Sequence, residues 1–101
     1  MLVEVAIYKI VPGKEAQALA ILEEQAAAKR RQESCRDARV LSASRSVASP
    51  TTDPDFILTL AEFADAAGYA AYRELAAEEE KAGASSLAGL TVGPPTFGVF
   101  E

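Results

Sequence analysis

Histidine and tryptophan are absent from this chain of 101 residues, and cysteine occurs once. Each absence excludes something. Without histidine there is no Ser-His or Cys-His nucleophile, no His-ligated metal and no imidazole pH switch. With Cys35 alone there is no intrachain disulfide, which suits a reducing cytoplasm. Positive charge is also scarce: 10 Lys and Arg stand against 15 Asp and Glu, a net charge of −5. The longest basic run is Lys29-Arg30-Arg31. Nucleic acid is therefore not an expected partner, because neutralising phosphates needs a basic face. The N-terminal MLVEVAIYKI places Glu4 and Lys9 inside its apolar stretch and lacks the basic start and long apolar core of a signal peptide. No apolar run approaches the roughly 18 to 20 residues that span a bilayer. The expectation is a cytoplasmic protein without membrane contact. No GxGxxG, P-loop or calcium-loop spacing occurs, so no nucleotide or metal is expected.

What is present describes a globular chain, half apolar and a quarter charged. Its length fits one domain over residues 1–101. A domain of this size buries only about 60 to 65% of its unfolded surface, so a partner chain would add useful burial.

Residues 2–11 are rich in Val, Ile and Tyr and end at Pro12-Gly13, which predicts a strand with apolar residues on both faces. From Gly13 to about Ser34, strong helix formers take over. Leu19, Leu22 and Ala26, flanked by Ala16, Ala20 and Glu23, form the expected buried stripe, with Ile21 outside it. Residues 38–48 predict a weaker edge strand through Leu41, Ala43 and Val47. Turn chemistry follows over 49–55. FILTLAEF, residues 56–63, is the second strong strand. Asp65 is a good N-cap for a helix to about Ala82, closed by Gly83. Its apolar face is read as Tyr69, Tyr72, Leu75 and Ala76. Gly68 inside it marks either a close approach or neutral drift. The last stretch is interrupted by Gly93-Pro94-Pro95, which confines it to an edge or broken strand.

The order β-α-β-β-α-β is the ferredoxin-like α+β arrangement, with both helices on one face of a four-stranded antiparallel sheet. Strands one and three are expected in the centre, as parallel neighbours. Both helices are expected to run the same way. That would place Lys29-Arg30-Arg31 beside Glu78-Glu79-Glu80 and pair Arg30 or Arg31 with Glu78 or Glu79. Helices cover one sheet face; Val3, Val5, Ile7, Phe56, Leu58 and Leu60 on the other predict a homodimer.

Candidate chemistry rests on tyrosines, carboxylates and hydroxyls. Tyr8, Tyr69 and Tyr72 fall on predicted inward faces. Glu4 and Thr59 lie on the two central strands. A carboxylate on an apolar face is either a proton-transfer group or a strand-end Glu reaching solvent or a partner arginine. The tyrosines either pack the core with a hydroxyl at a cavity rim or act directly. Cys35 reads as a structural thiol, with no helix N-terminus or histidine to activate it.

Pro12-Gly13-Lys14 after the first strand, Ser34-Cys35 before the second, and FILTLAEFADAAGYAAY together resemble the antibiotic-biosynthesis-monooxygenase-type family of dimeric α+β barrels. The resemblance covers nearly the whole chain. Where that family has a Trp closing the third strand, this chain has Phe63. Tyr69 matches a Tyr six residues later in the cofactor-free oxygenases of polycyclic phenols, and Thr59 takes the place of their Asn. Tyr72 stands where many members have a His. The haem-degrading branch would need side chains at positions held by Ala6, Tyr72 and Ala82, and its missing His sets it aside. The resemblance implies a monooxygenase without cofactor, acting on a small apolar, phenolic or enolisable ligand. Tyr69 would hold the substrate oxyanion with help from Thr59. Phe63, Tyr72 and Tyr8 would wall the pocket, and Glu4 would be the outside candidate for a base. A non-catalytic binding or structural homodimer on the same fold is the alternative. A carboxylate-based isomerase is a third reading.

Overall fold

The computed structural model describes residues 1–43, 53–81 and 87–101, leaving aside the side chains of residues 79–81. Six elements follow in order: β1 (Leu2–Lys9), α1 (Glu15–Arg30), β2 (Cys35–Ser42), β3 (Phe56–Phe63), α2 (Ala66–Lys81) and β4 (Thr96–Phe100). They build one four-stranded sheet of order β2-β3-β1-β4. This is the ferredoxin-like α+β arrangement that the sequence predicts. Val47, the turn residues 49–52, Ala82 and Gly83 lie outside the described residues. So do the side chains of Glu79 and Glu80.

Period-two alternation decides which side of each central strand is buried. On β1, Leu2, Glu4 and Ala6 are buried, while Val3, Val5 and Ile7 are half-buried. On β3, Ile57, Thr59, Ala61 and Phe63 are buried between half-buried Phe56, Leu58, Leu60 and Glu62. The register Glu4↔Ala61 and Ala6↔Thr59 puts the two buried sets on one face. Ala18, Leu22 and Ala26 of α1 fill that face, so the thin alanine-rich helix lies close to the sheet. The buried row sits on Ala18, with Leu19 packed against its edge and Ala16, Ala20 and Glu23 exposed. On α2, Tyr69 and Tyr72 pack inward against Phe63, whereas Leu75 is exposed.

Three expectations change. β1 and β3 are antiparallel, not parallel. A hairpin between β2 and β3 reverses the chain, so β3 must oppose β1, which runs along with β2. For the same reason the two helices run in opposite directions. Ser34, four residues past the end of α1, meets Gly68 at the start of α2. Glu78 lies ten residues further on, about 15 Å along the helix. The predicted pairing of Arg30 or Arg31 with Glu78 therefore does not form, and the one with Glu79 falls on a side chain outside the described residues; Arg30 Nη1 donates to the carbonyl of Ala38 at 2.6 Å. Finally, β2 begins at Cys35 rather than Ala38, because Cys35 pairs with Phe63 across an irregularity before Asp37.

β1 is bonded on both sides. β3 pairs with its full length and β4 with Val3–Ile7. Past its end, the Val11 amide donates to Leu90 O and the Val92 amide to Lys9 O. β4 follows the double proline as an edge strand, as expected.

Asp65 caps α2, its Oδ1 accepting from the Gly68 amide at 2.7 Å. A Cβ on Gly68 would fall onto Ser34 Cβ and lie 2.6 Å from its Oγ. Ser34 cannot withdraw easily, because its carbonyl accepts from the Ala64 amide at 2.8 Å. Gly68 thus marks a close approach. Alanine ordinarily gains about 1 kcal/mol over glycine in a helix. Here Gly68→Ala is expected to lose roughly 1–3 kcal/mol through overpacking. Thermal denaturation checks this, and Ser34→Gly in the same chain should restore the melting temperature.

Candidate functional site

The site begins with an acid on an apolar face. Glu4 is central in β1 and only 3% exposed. A buried carboxylate needs partners, and two are supplied. Lys29 Nζ, near the end of α1, donates to Glu4 Oε1 at 2.9 Å. Tyr69 Oη, from the first turns of α2, donates to Glu4 Oε2 at 2.7 Å. Lys29 is itself 8% exposed and lies 5.7 Å from the centroid of the Tyr72 ring. One strand and two helices thus converge on a single carboxylate. The antiparallel helices make this convergence possible, bringing the end of α1 to the start of α2.

Phe63 positions the tyrosines. It is wholly buried, with Tyr69 edge-on at 5.2 Å and Tyr72 tilted at 5.5 Å between ring centroids. Burial, reinforced by the hydrogen bond to Glu4 and that residue's charge, pushes the Tyr69 phenol well above its ordinary range. The fold therefore stabilises the neutral phenol. This contribution is whole through neutral pH and falls as pH rises past the ordinary phenol range, where the unfolded chain's tyrosine ionises before the buried one. Ultraviolet phenolate titration should show a late-ionising tyrosine that Tyr69→Phe removes; complete ionisation in the ordinary phenol range would contradict it.

Above the carboxylate opens a cleft of about 290 Å³ between sheet and helices. Glu4, Lys29, Tyr8 and Tyr72 line its inner part. Arg73, Phe97 and Pro95 stand toward its exposed side. The volume is at the lower edge of the roughly 300–1,000 Å³ typical of small-molecule sites.

The structure thus gathers Glu4, Tyr8, Tyr69 and Tyr72. Phe63 supports the tyrosines from beneath and does not line the cleft. Thr59 lies apart, one same-face step along β3 from Ala61, about 7 Å. Its Oγ1 is buried without a hydrogen-bond partner among the described residues. The Tyr69 hydroxyl, expected to face a substrate oxygen, donates to Glu4. Lys29, Arg73 and Phe97 join the site unforeseen. The spacing Ala18, Leu22, Ala26, Lys29 carries the buried stripe of α1 into Lys29 and could have shown it. Cys35 donates to Asp37 O at 3.3 Å, and burial pushes its thiol up, as in an unreactive cysteine.

Among the described residues no helix is long and apolar enough to cross a membrane. No protein-family model and no curated protein matches the sequence. Solved structures do match in shape. One, from Deinococcus radiodurans, is provisionally named an antibiotic biosynthesis monooxygenase; it has a TM-score of 0.78 at 16% identity, over 100% of this chain and 91% of that one. A protein of the same provisional name from Nitrosomonas europaea has a TM-score of 0.75 at 12% identity, over 100% and 97%. A Bacteroides thetaiotaomicron protein, named as of unknown function and a possible oxidoreductase, has a TM-score of 0.71 at 14% identity, over 98% and 95%. Likeness at such identities is likeness of fold. The chain is accordingly a ferredoxin-like α+β protein that shares its fold, end to end, with structures named for antibiotic biosynthesis monooxygenases.

Proposed function

We propose that this protein is a cofactor-independent monooxygenase acting on a phenolic or enolisable small molecule, and that it works as a homodimer. The observation that carries the reading is the buried Glu4–Lys29–Tyr69 constellation at the floor of a small-molecule cleft. In such chemistry the substrate supplies the electrons. A ring methylene becomes a carbonyl, one oxygen atom of dioxygen staying in the product and the other leaving as water. The protein need only remove a proton, stabilise the resulting anion and exclude solvent. Glu4 is placed to take the proton. The Lys29 ammonium beside it is placed to offset negative charge on the substrate oxygen. Tyr69, held neutral, keeps the carboxylate aligned, while Tyr8 and Tyr72 wall the space. The isolated position of Thr59 gives it a packing role here.

The open sheet face supports the dimer. Val3, Val5, Ile7, Phe56, Leu58 and Leu60 lie on it. Leu41, 52% exposed, and Phe100, 60% exposed, extend it through the pairings Leu41↔Leu58 and Val3↔Phe100. An apolar sheet face of this breadth marks an interaction surface.

The test is oxygen uptake with an anthrone-type phenol. Uptake above background that falls in both Glu4→Gln and Tyr69→Phe supports the enzyme. Tight binding without turnover identifies a binding dimer on the same fold.

A further inference from the structure

The chain carries a net charge of −5, yet the cleft has the opposite bias. Glu4 is the single acid among the residues lining it, and Lys29 neutralises that acid at 2.9 Å. Arg73 remains. It is exposed, and its guanidinium carbon lies 5.6 Å from the centroid of the Phe97 ring. Among the described residues no acid pairs with it. A guanidinium resting on an aromatic ring uses its flat face there and keeps its N–H fork for a planar anion. Carboxylates fit that fork with two parallel hydrogen bonds.

The cleft is therefore graded along its depth. At the floor, Lys29 has three N–H donors and directs one to Glu4. Ala28 and Ala76 supply half-buried apolar surface, and Arg73 stands with Pro95 and Phe97 on the exposed side. A ligand that satisfies all three levels has an ionisable oxygen at one end, a flat apolar body and an anion at the other end.

We propose that the ligand of this cleft is an aromatic carboxylate: a compact fused-ring phenol or enol whose carboxylate is held by Arg73 while its hydroxyl reaches Glu4 and Lys29. This rests on the reading of the cleft as the substrate site and names the class of that substrate. Arg73 is then a specificity residue, outside the proton transfer.

The test uses two matched probes, 6-hydroxy-2-naphthoate and the uncharged 6-hydroxy-2-naphthamide, titrated into the full chain by naphthol fluorescence. The carboxylate should bind about tenfold tighter or more, as a charge-assisted pair predicts. Arg73→Gln should remove that preference, weakening the carboxylate about tenfold more than the amide, and Arg73→Lys should restore part of it. Position 73 is exposed, and an unchanged melting curve verifies that Arg73→Gln is folded. Equal affinities, a preference that survives Arg73→Gln, or no binding of either probe overturns the proposal. Oxygen uptake separates it from the enzyme reading. An Arg73-dependent preference without turnover of any phenol leaves the carboxylate grip standing and removes the monooxygenase. Turnover without the preference does the reverse.

Discussion

Replacing Lys29 with methionine is expected to destabilise the protein by about 3–5 kcal/mol, the cost of breaking a buried ion pair from one side. Methionine matches the stem of lysine and keeps the packing of α1 against the sheet, so lost volume contributes little. What remains is the Glu4 carboxylate, 3% exposed, with the Tyr69 hydroxyl still donating to it. A single phenol does not replace an ammonium at 2.9 Å. Urea denaturation measures the loss. Adding Glu4→Gln to Lys29→Met should recover most of it, because the amide carries no charge and can still accept from Tyr69. A loss below about 1 kcal/mol in the single variant would mean that water in the cleft solvates the carboxylate, as it does an exposed ion pair.

Leu58→Asp is expected to abolish the proposed homodimer. Leu58 sits mid-strand on β3, between Ile7 of β1 and Leu41 of β2 in the register. It is near the middle of the open face, where packing a carboxylate against apolar side chains is costly. Light scattering should fall from about two chain masses to one, or the chain should lose its fold. Leu75→Asp is the control. Leu75 is an exposed leucine on α2, on the other side of the sheet. It should leave the mass unchanged. A native chain of single mass at micromolar concentration would overturn the dimer outright.

The sequence exposed most of this fold because its central strands are unambiguous. FILTLAEF is β3 residue for residue, and Asp65 caps α2 as its side chain suggests. β2 began early because Cys35, Arg36 and Asp37 have little strand preference of their own; pairing with β3 imposes it. The helix directions escape the local sequence pattern for a different reason. Local pattern assigns elements, but direction depends on counting reversals through the hairpin, and one parallel assignment for β1 and β3 inverts every later step. Glu4 and Tyr69 were visible as misfits on apolar faces. Lys29 was not, because it stands beside Arg30 and Arg31 and its charge suits a helix C-terminus. Only the continuation of the buried stripe separates it from them. Arg73 and Phe97 carry no local signal; they meet because β4 pairs with β1 beneath α2.

The cleft has two walls of unequal permanence. Glu4 belongs to a strand whose backbone is bonded on both sides, so its amides open to solvent exchange only when the sheet itself comes apart. Phe97 belongs to β4, bonded on one side over five residues and entered through Pro94-Pro95. Edge segments of this kind unzip locally at a small fraction of the global unfolding free energy. Opening of β4 alone would part Phe97 from Arg73 and leave β1 paired with β3. Amide exchange is therefore expected to be fastest along β4 and slowest along β1, the strand that carries Glu4.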